Sequence, residues 1–255
     1  GAHAYEVLCR LWHGGLGGDR PYRVPEPLAF VERCRLLLMR AAPGESLHLR
    51  LGVDRAQALA GVREAARWLR ALHDSAVRIG RLDQPWYMFA KLADRLSKAA
   101  ATHPEELARL GAMLSRLERL AERWGEGEVV QVHGQFRPIH VFLDGARVTV
   151  IDLDRSVPST PARDLAEFIH RLRSSLARQP AAAAEAGPLT RAFLDEYTLG
   201  RSRALRPLPF YWGFHVLVSL CRHLKRLAPG DAALQPTIDF YASEFDAALA
   251  LAEAP

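Results

Sequence analysis

Six side chains in one stretch could do chemistry together: His133, Gln135, Arg137, His140, Asp152 and Asp154, all within VVQVHGQFRPIHVFLDGARVTVIDLD at 129–154. An amide such as Gln135 orients a hydroxyl, an arginine contacts phosphate, and histidine with carboxylates can ligate a metal. Phosphoryl transfer asks for that set: one group to orient the attacking hydroxyl and two ligands to hold magnesium on the phosphates. The pattern also says how they would be placed. Val129–Val132 is a β-branched run, read as a short strand that delivers His133 and Gly134 at its end. Pro138 stiffens the loop Gln135–His140, and Val141–Leu143 begins a second strand. Asp144-Gly145 is a two-residue hairpin signal that wants positive φ at both positions. The return strand Arg147–Leu153 then ends on Asp152 and Asp154. A hairpin folds its two ends together, so His140 is expected beside Asp152.

Other elements must carry this segment. Tyr5, Leu8, Cys9 and Trp12 have helical spacing over residues 4–12. Leu28–Val31 and Leu36–Met39 read as a small hairpin or sheet edge split by Glu32-Arg33. A helix follows with Leu59, Val62, Ala66, Leu69 and Leu72 on one face, ending near His73. Trp86, Phe89, Leu92 and Leu96 mark a second helix; Leu107 to Leu120 mark a third, opened by Pro104. Asp164–Leu176 and Leu189–Tyr197 are helical, separated by Pro180 and an alanine run. Two more helices close the chain, on Phe214, Leu217, Cys221, Leu224 and on Ile238, Tyr241, Phe245, Leu249. The expected fold class is α+β and mostly helical, with a β-hairpin in its middle.

Composition excludes several classes. At 255 residues and 49% hydrophobic content the chain can bury a core of domain size. The net charge of +5 comes from arginine, the only lysines being Lys91, Lys98 and Lys225. The cations are dispersed among 29 acids rather than clustered in a stripe, so no nucleic-acid role is expected. Cys9, Cys34 and Cys221 lack paired spacing, which argues against a disulfide scaffold or zinc site and for a reducing, cytoplasmic setting. No apolar run is long enough to span a membrane. Gly14–Gly18 follows a helix and lacks the trailing Lys-Ser/Thr of a phosphate loop, so it reads as a connector.

The segment resembles the aminoglycoside phosphotransferase and choline kinase family, a branch of the protein kinase-like phosphotransferases, with its H-G-D-x-x-x-x-N loop and I-D-[WFL] metal acid. Three further stretches fit in order: PEPLAFVERCRLLLMRAAPGESL at 25–47, REAARWLRALHDS at 63–75, and TPARDLAEF at 160–168. The resemblance implies the large, helical lobe of a kinase-like fold over residues 51–255, carrying the catalytic-type loop at 131–154. Residues 1–50 would be a remnant of the small lobe and hinge. It implies ATP and magnesium as cofactors if the protein is active, with Asp152 as the metal acid and a nucleotide contact, and none otherwise. The acceptor pocket would fall on Leu82–Trp124 and Leu189–Pro255.

Three departures temper that picture. The family's catalytic Asp falls on Gln135, which is neutral at every pH and cannot take a proton. Its metal-binding Asn falls on His140, whose imidazole is a poorer partner for magnesium than oxygen is. The small lobe's phosphate-gripping lysine has no counterpart before Lys91, although Glu6 falls where the lysine's paired Glu would lie. Arg137 stands where a phosphate contact fits. Asp154 is either a substitute ligand or a partner for Arg155.

Three functions follow as expectations. One is a catalytically impaired, pseudokinase-like binding or regulatory module with nucleotide, small-molecule or protein partners. The second is an ATP- and Mg-dependent phosphotransferase acting on a small-molecule hydroxyl. The third is a helical interaction domain with no nucleotide role. As plainer roles, Asp152 would pair with Arg137 or Arg155, and His73 and His133 would pin the loop. Asp164 would be a helix-start acid, and His103 and His223 would lie at the surface.

Overall fold

Alternation of core-facing and polar residues sets the first element of the computed structural model, which describes residues 1–83, 85–122, 128–199 and 205–253. Helix α1 (Ala2–His13) buries Ala4, Val7, Leu8 and Leu11, one apolar stripe at helical spacing. The two apolar runs after it do form an antiparallel hairpin, β2 (Pro27–Val31) with β3 (Leu36–Met39). Arg35, in the left-handed region at φ 52°, closes the turn between them.

After the single turn of α2 (Leu47–Arg50), helix α3 (Arg55–His73) is capped by Asp54, whose carboxylate accepts from the amides of Ala56 and Gln57. Those bonds, the Gln57 amide first, hold the Asp54 carboxyl below its ordinary value. The helix buries Ala65, Trp68, Leu69, Leu72 and His73. Beyond the central β segment run α6 (Ala162–Ala177) and α7 (Ala186–Thr198). The alanine run between them is no simple break: Pro180–Glu185 winds into a 3-10 helix. Proline tolerates its first position because the missing N–H has no helical acceptor there.

The hairpin at the centre is β6 (Val141–Asp144) with β7 (Arg147–Val150). Its turn differs from the expected one. Asp144 pairs with Arg147, so the two turn residues are Gly145 and Ala146, and only Gly145 has positive φ, at 57°. Positive φ at the first turn position alone is the pattern that wants glycine there, and Asp144 is left as a strand residue. The hairpin is also not isolated. Short strands β1 (Tyr22–Arg23) and β4 (Glu45–Ser46) flank it in a four-stranded sheet, order β1-β7-β6-β4, with β1 parallel to β7. Neither two-residue strand has a periodicity to read. Strand β5 (Val130–Val132) pairs antiparallel with β8 (Val157–Ser159).

The chain divides into two compact units. The first comprises Gly1–Leu82 with Glu128–Arg203 and holds every strand among the described residues. The second, Asp83–Gly127 with Ala204–Pro255, contains α4 (Pro85–Thr102), α5 (Leu107–Ala121), α8 (Leu208–Leu224) and α9 (Leu234–Glu253). Within it His103 is fully buried, not at the surface. Its Nε2–H donates to the carbonyls of Leu224, at 2.8 Å, and Leu227, so the ring caps the end of α8. His223 is exposed as expected. Trp124, the side chain of Trp86 and part of both stretches tied to the acceptor pocket lie outside the described residues. No described helix is long and apolar enough to cross a membrane.

Candidate active site

Strand β5 ends on a loop whose shape is enforced from below. Asp164, wholly buried in the first turn of α6, accepts from the amide of His133 at 2.6 Å through one oxygen and of Gly134 at 2.8 Å through the other. Gly134 has φ of 80°, and a Cβ there would run into the carbonyl of Arg155, so the turn requires glycine. His73, at the end of α3, donates from Nε2 to Asp164 at 3.1 Å and through Nδ1 accepts from the hydroxyl of Tyr197 at 2.7 Å. A carboxylate only accepts, which fixes the direction of that chain. Burial alone would raise the Asp164 carboxyl. The hydrogen bond and charge from His73, then His133, outweigh it and hold the group below its ordinary value. Burial likewise pushes the Tyr197 hydroxyl up. Asp164 is therefore more than a helix-start acid: it carries the loop.

The histidines are oriented with equal economy. His133, fully buried, donates from Nε2 to the carbonyl of Ile151 at 2.9 Å and accepts the Gln135 amide at Nδ1. Its ring stacks against that of His140 at 5.8 Å. His140 points Nδ1 at the carbonyl of Gln135, 3.0 Å away, and Nε2 at an Asp152 oxygen, 3.2 Å away. The meeting of residues 140 and 152 across the hairpin is thus present. A carbonyl cannot donate, so Nδ1 carries a proton; the neutral form of the ring then turns its Nε2 lone pair toward the carboxylate, and the protonated form donates to it. Burial, then the neighbouring His133, lowers the His140 imidazole, against the pull of Asp152. Asp152 sits at φ 70°, a left-handed conformation that costs a non-glycine residue roughly 1–2 kcal/mol. That bend ends the return strand at Val150 instead of Leu153.

Arg137 pairs with Glu167, not with Asp152. Its Nε donates at 2.7 Å to Glu167, which is 4% exposed, and Arg171 donates to the same oxygen at 2.9 Å. Asp154 is exposed at the surface. Glu6, also exposed, lines a hollow beside α1 whose walls include none of residues 133–154. Gln135 is half-buried in the loop, next to Phe136, which stacks on Trp68 at 5.6 Å and on Phe168 at 5.1 Å. Several supports gave no legible signal. Glu167 lies in the second turn of α6, and nothing in its spacing marks it as the partner of two arginines. Gln131 is fully buried and clasps the backbone of Ile79 while donating to Ser156, whose hydroxyl donates to the carbonyl of Val132 at 2.7 Å. A lone Gln inside a valine run was the only available hint.

A model of the phosphotransferase enzyme family matches residues 7–204, which include this whole loop. The chain belongs to that family. Solved structures give the family's fold. A choline/ethanolamine kinase family protein from Mesorhizobium loti superposes with a TM-score of 0.68 at 16% identity, over 100% of this chain and 80% of that one. Glucosamine kinase, in complex with glucosamine, ADP and inorganic phosphate, gives 0.62 at 20% identity over 97% and 71%. An aminoglycoside-3'-phosphotransferase of type VIII gives 0.58 at 24% over 84% and 78%. No curated protein matches the chain. The expected kinase-like, mostly helical α+β fold is thereby established for this member of the phosphotransferase family.

The buried histidine has a consequence for pH. Burial lowers the His133 imidazole below its unfolded value of about 6.5. On acidification the unfolded chain then takes up a proton before the native one does. Stability is expected to be complete above pH about 6.5 and to fall as pH drops below it toward the folded value. His140 acts in the same direction. Urea unfolding at pH 7.5 and 5.5 checks this: the difference should shrink in His133→Gln, and equal stability of the native chain at both values refutes it.

Proposed function

We propose that this member of the phosphotransferase family is a pseudokinase-like binding module that holds a nucleotide and a divalent cation at His140 and Asp152 with little turnover. The observation that carries this reading is Gln135, a neutral amide where the family's loop has its catalytic Asp, on a loop otherwise assembled by Asp164, His133 and Gly134. General-base help contributes roughly 10²–10⁴ in rate, and an amide supplies none. On this reading residues 51–255 form the large lobe, and 1–50 belong to the small lobe and hinge. Free Cys9, Cys34 and Cys221 suit a reducing cytoplasm.

The donor set fits a cation. A bare Nε2 and a carboxylate oxygen face each other at 3.2 Å, an arrangement of two lone pairs that repels unless a proton or a cation lies between. The Nδ1–H bond to a backbone carbonyl is the outer contact that orients a ligating histidine. No third His, Cys, Asp or Glu joins the pair among the described residues, so phosphate oxygens and water would complete the shell. A bound cation would neutralise phosphate charge there. One nitrogen donor shifts the preference from magnesium toward manganese and its first-row neighbours.

Thermal unfolding with Mn-ADP and Mg-ADP tests both points. A ligand at a hundred times its dissociation constant stabilises by about 2.7 kcal/mol. Manganese should give the larger shift at equal concentration, and Asp152→Ala should remove it. Absence of any shift with either cation overturns the reading.

One observation favours the second function, a working hydroxyl phosphotransferase. Asp152 keeps a strained backbone at φ 70°, and such strain gathers at active sites. Steady transfer of phosphate from Mn-ATP to a small-molecule hydroxyl by the native chain would establish that function instead.

A further inference from the structure

The polar face of α1 borders a hollow that the phosphotransferase site does not use. His3, Glu6, Arg10 and His13 follow one another at spacings of three, four and three, which aligns them along one side of the helix. They form one wall of a cavity of about 920 Å³, and the segment Ala76–Gly80 forms the other. That volume is the size of a metabolite site.

The wall is partly built and partly open. His3 is held: its Nε2–H donates to the carbonyl of Ser156 at 2.7 Å. Arg78 turns one guanidinium nitrogen back onto the carbonyls of Ser75, at 2.8 Å, and Val77. Glu6 and Arg10 stand four apart, the spacing at which opposite charges pair on a helix. They form no ion pair, and neither their side chains nor that of His13 has a hydrogen-bonded partner among the described residues. Two arginines, Arg10 on the α1 wall and Arg78 on the other, thus line the hollow with a single glutamate, Glu6, and His13 adds an imidazole.

We propose that this hollow is a second ligand site, for a small anionic molecule carrying carboxylate or phosphate groups. Arg10 and His13 are its principal contacts. It lies apart from the loop at 133–154, none of whose residues line it. His3 links the two by a single hydrogen bond to Ser156, whose side chain also supports Val132 at the start of the loop.

Isothermal titration with inorganic phosphate and with citrate, at constant ionic strength, tests the assignment. Saturable binding of at least one of them to the native chain is expected. Both Arg10→Ala and His13→Ala should weaken it by roughly tenfold or more. Each of those side chains lacks a described partner, so each variant should unfold at the native temperature. Asp152→Ala should bind the anion unchanged. Absence of saturable binding, binding that survives both α1 substitutions, or binding lost in Asp152→Ala each overturns the proposal. None of these outcomes depends on whether the loop binds nucleotide, since Mn-ADP is titrated separately.

Discussion

Replacing Asp164 by alanine is expected to destabilise the protein by about 3–5 kcal/mol, the range for removing one partner of a buried, hydrogen-bonded charge. Three donors lose their acceptor at once: the amides of His133 and Gly134 and the Nε2–H of His73. Each is buried or half-buried, so water does not readily replace the carboxylate, and an unsatisfied buried donor costs about 1–3 kcal/mol. Asparagine keeps the shape and one acceptor oxygen, so Asp164→Asn should lose less than the alanine variant. Equilibrium urea unfolding of the two variants measures both. A loss below about 1 kcal/mol in Asp164→Ala, the net worth of a single ordinary hydrogen bond, would remove the claim that this residue carries the loop.

Gln135→Asp is expected to raise phosphoryl transfer or nucleotide hydrolysis by roughly 10²–10⁴ over the native chain. In the variant the carboxylate would take the proton of the attacking hydroxyl, whose oxygen would bond the γ-phosphorus as the bond to ADP breaks. The loop is already positioned, because its geometry comes from Asp164, Gly134 and the stacking of Phe136 rather than from residue 135. Product release from Mn-ATP at saturating nucleotide reads the gain. The same low turnover in both proteins, with nucleotide bound in both, would mean that the impairment lies outside the base position.

These two residues mark what was and was not legible beforehand. Gln135 stood out because a motif fixes its place in the loop by sequence distance alone. The hairpin from Val141 to Val150 was equally local, since alternation and a glycine turn write it into neighbouring residues. Even so the turn moved by one position. Pairing of Asp144 with Arg147 across the ladder left only Gly145 to take positive φ.

Asp164 was visible only as an acid at a helix start, although it lies below the loop and thirty residues downstream of it. Glu167, which holds Arg137 from thirty residues downstream, carries no local mark of that pairing at all. His103 carried no marking of its own beyond being a single histidine between helices, yet it is fully buried as the cap of α8.

The amino-acid order alone settled the long helices, the existence of the central hairpin though not its turn or its end, and the meeting of His140 with Asp152. Each depends on periodicity or on contacts between residues close along the chain. Tertiary structure decided which polar groups are buried together: Asp164 with the loop amides and His73, Glu167 with two arginines, and the bare nitrogen of His140 with a carboxylate. Those partners are set by packing between distant segments. A buried polar group is satisfied by whichever donor or acceptor the fold brings to it, and spacing in sequence does not encode that choice.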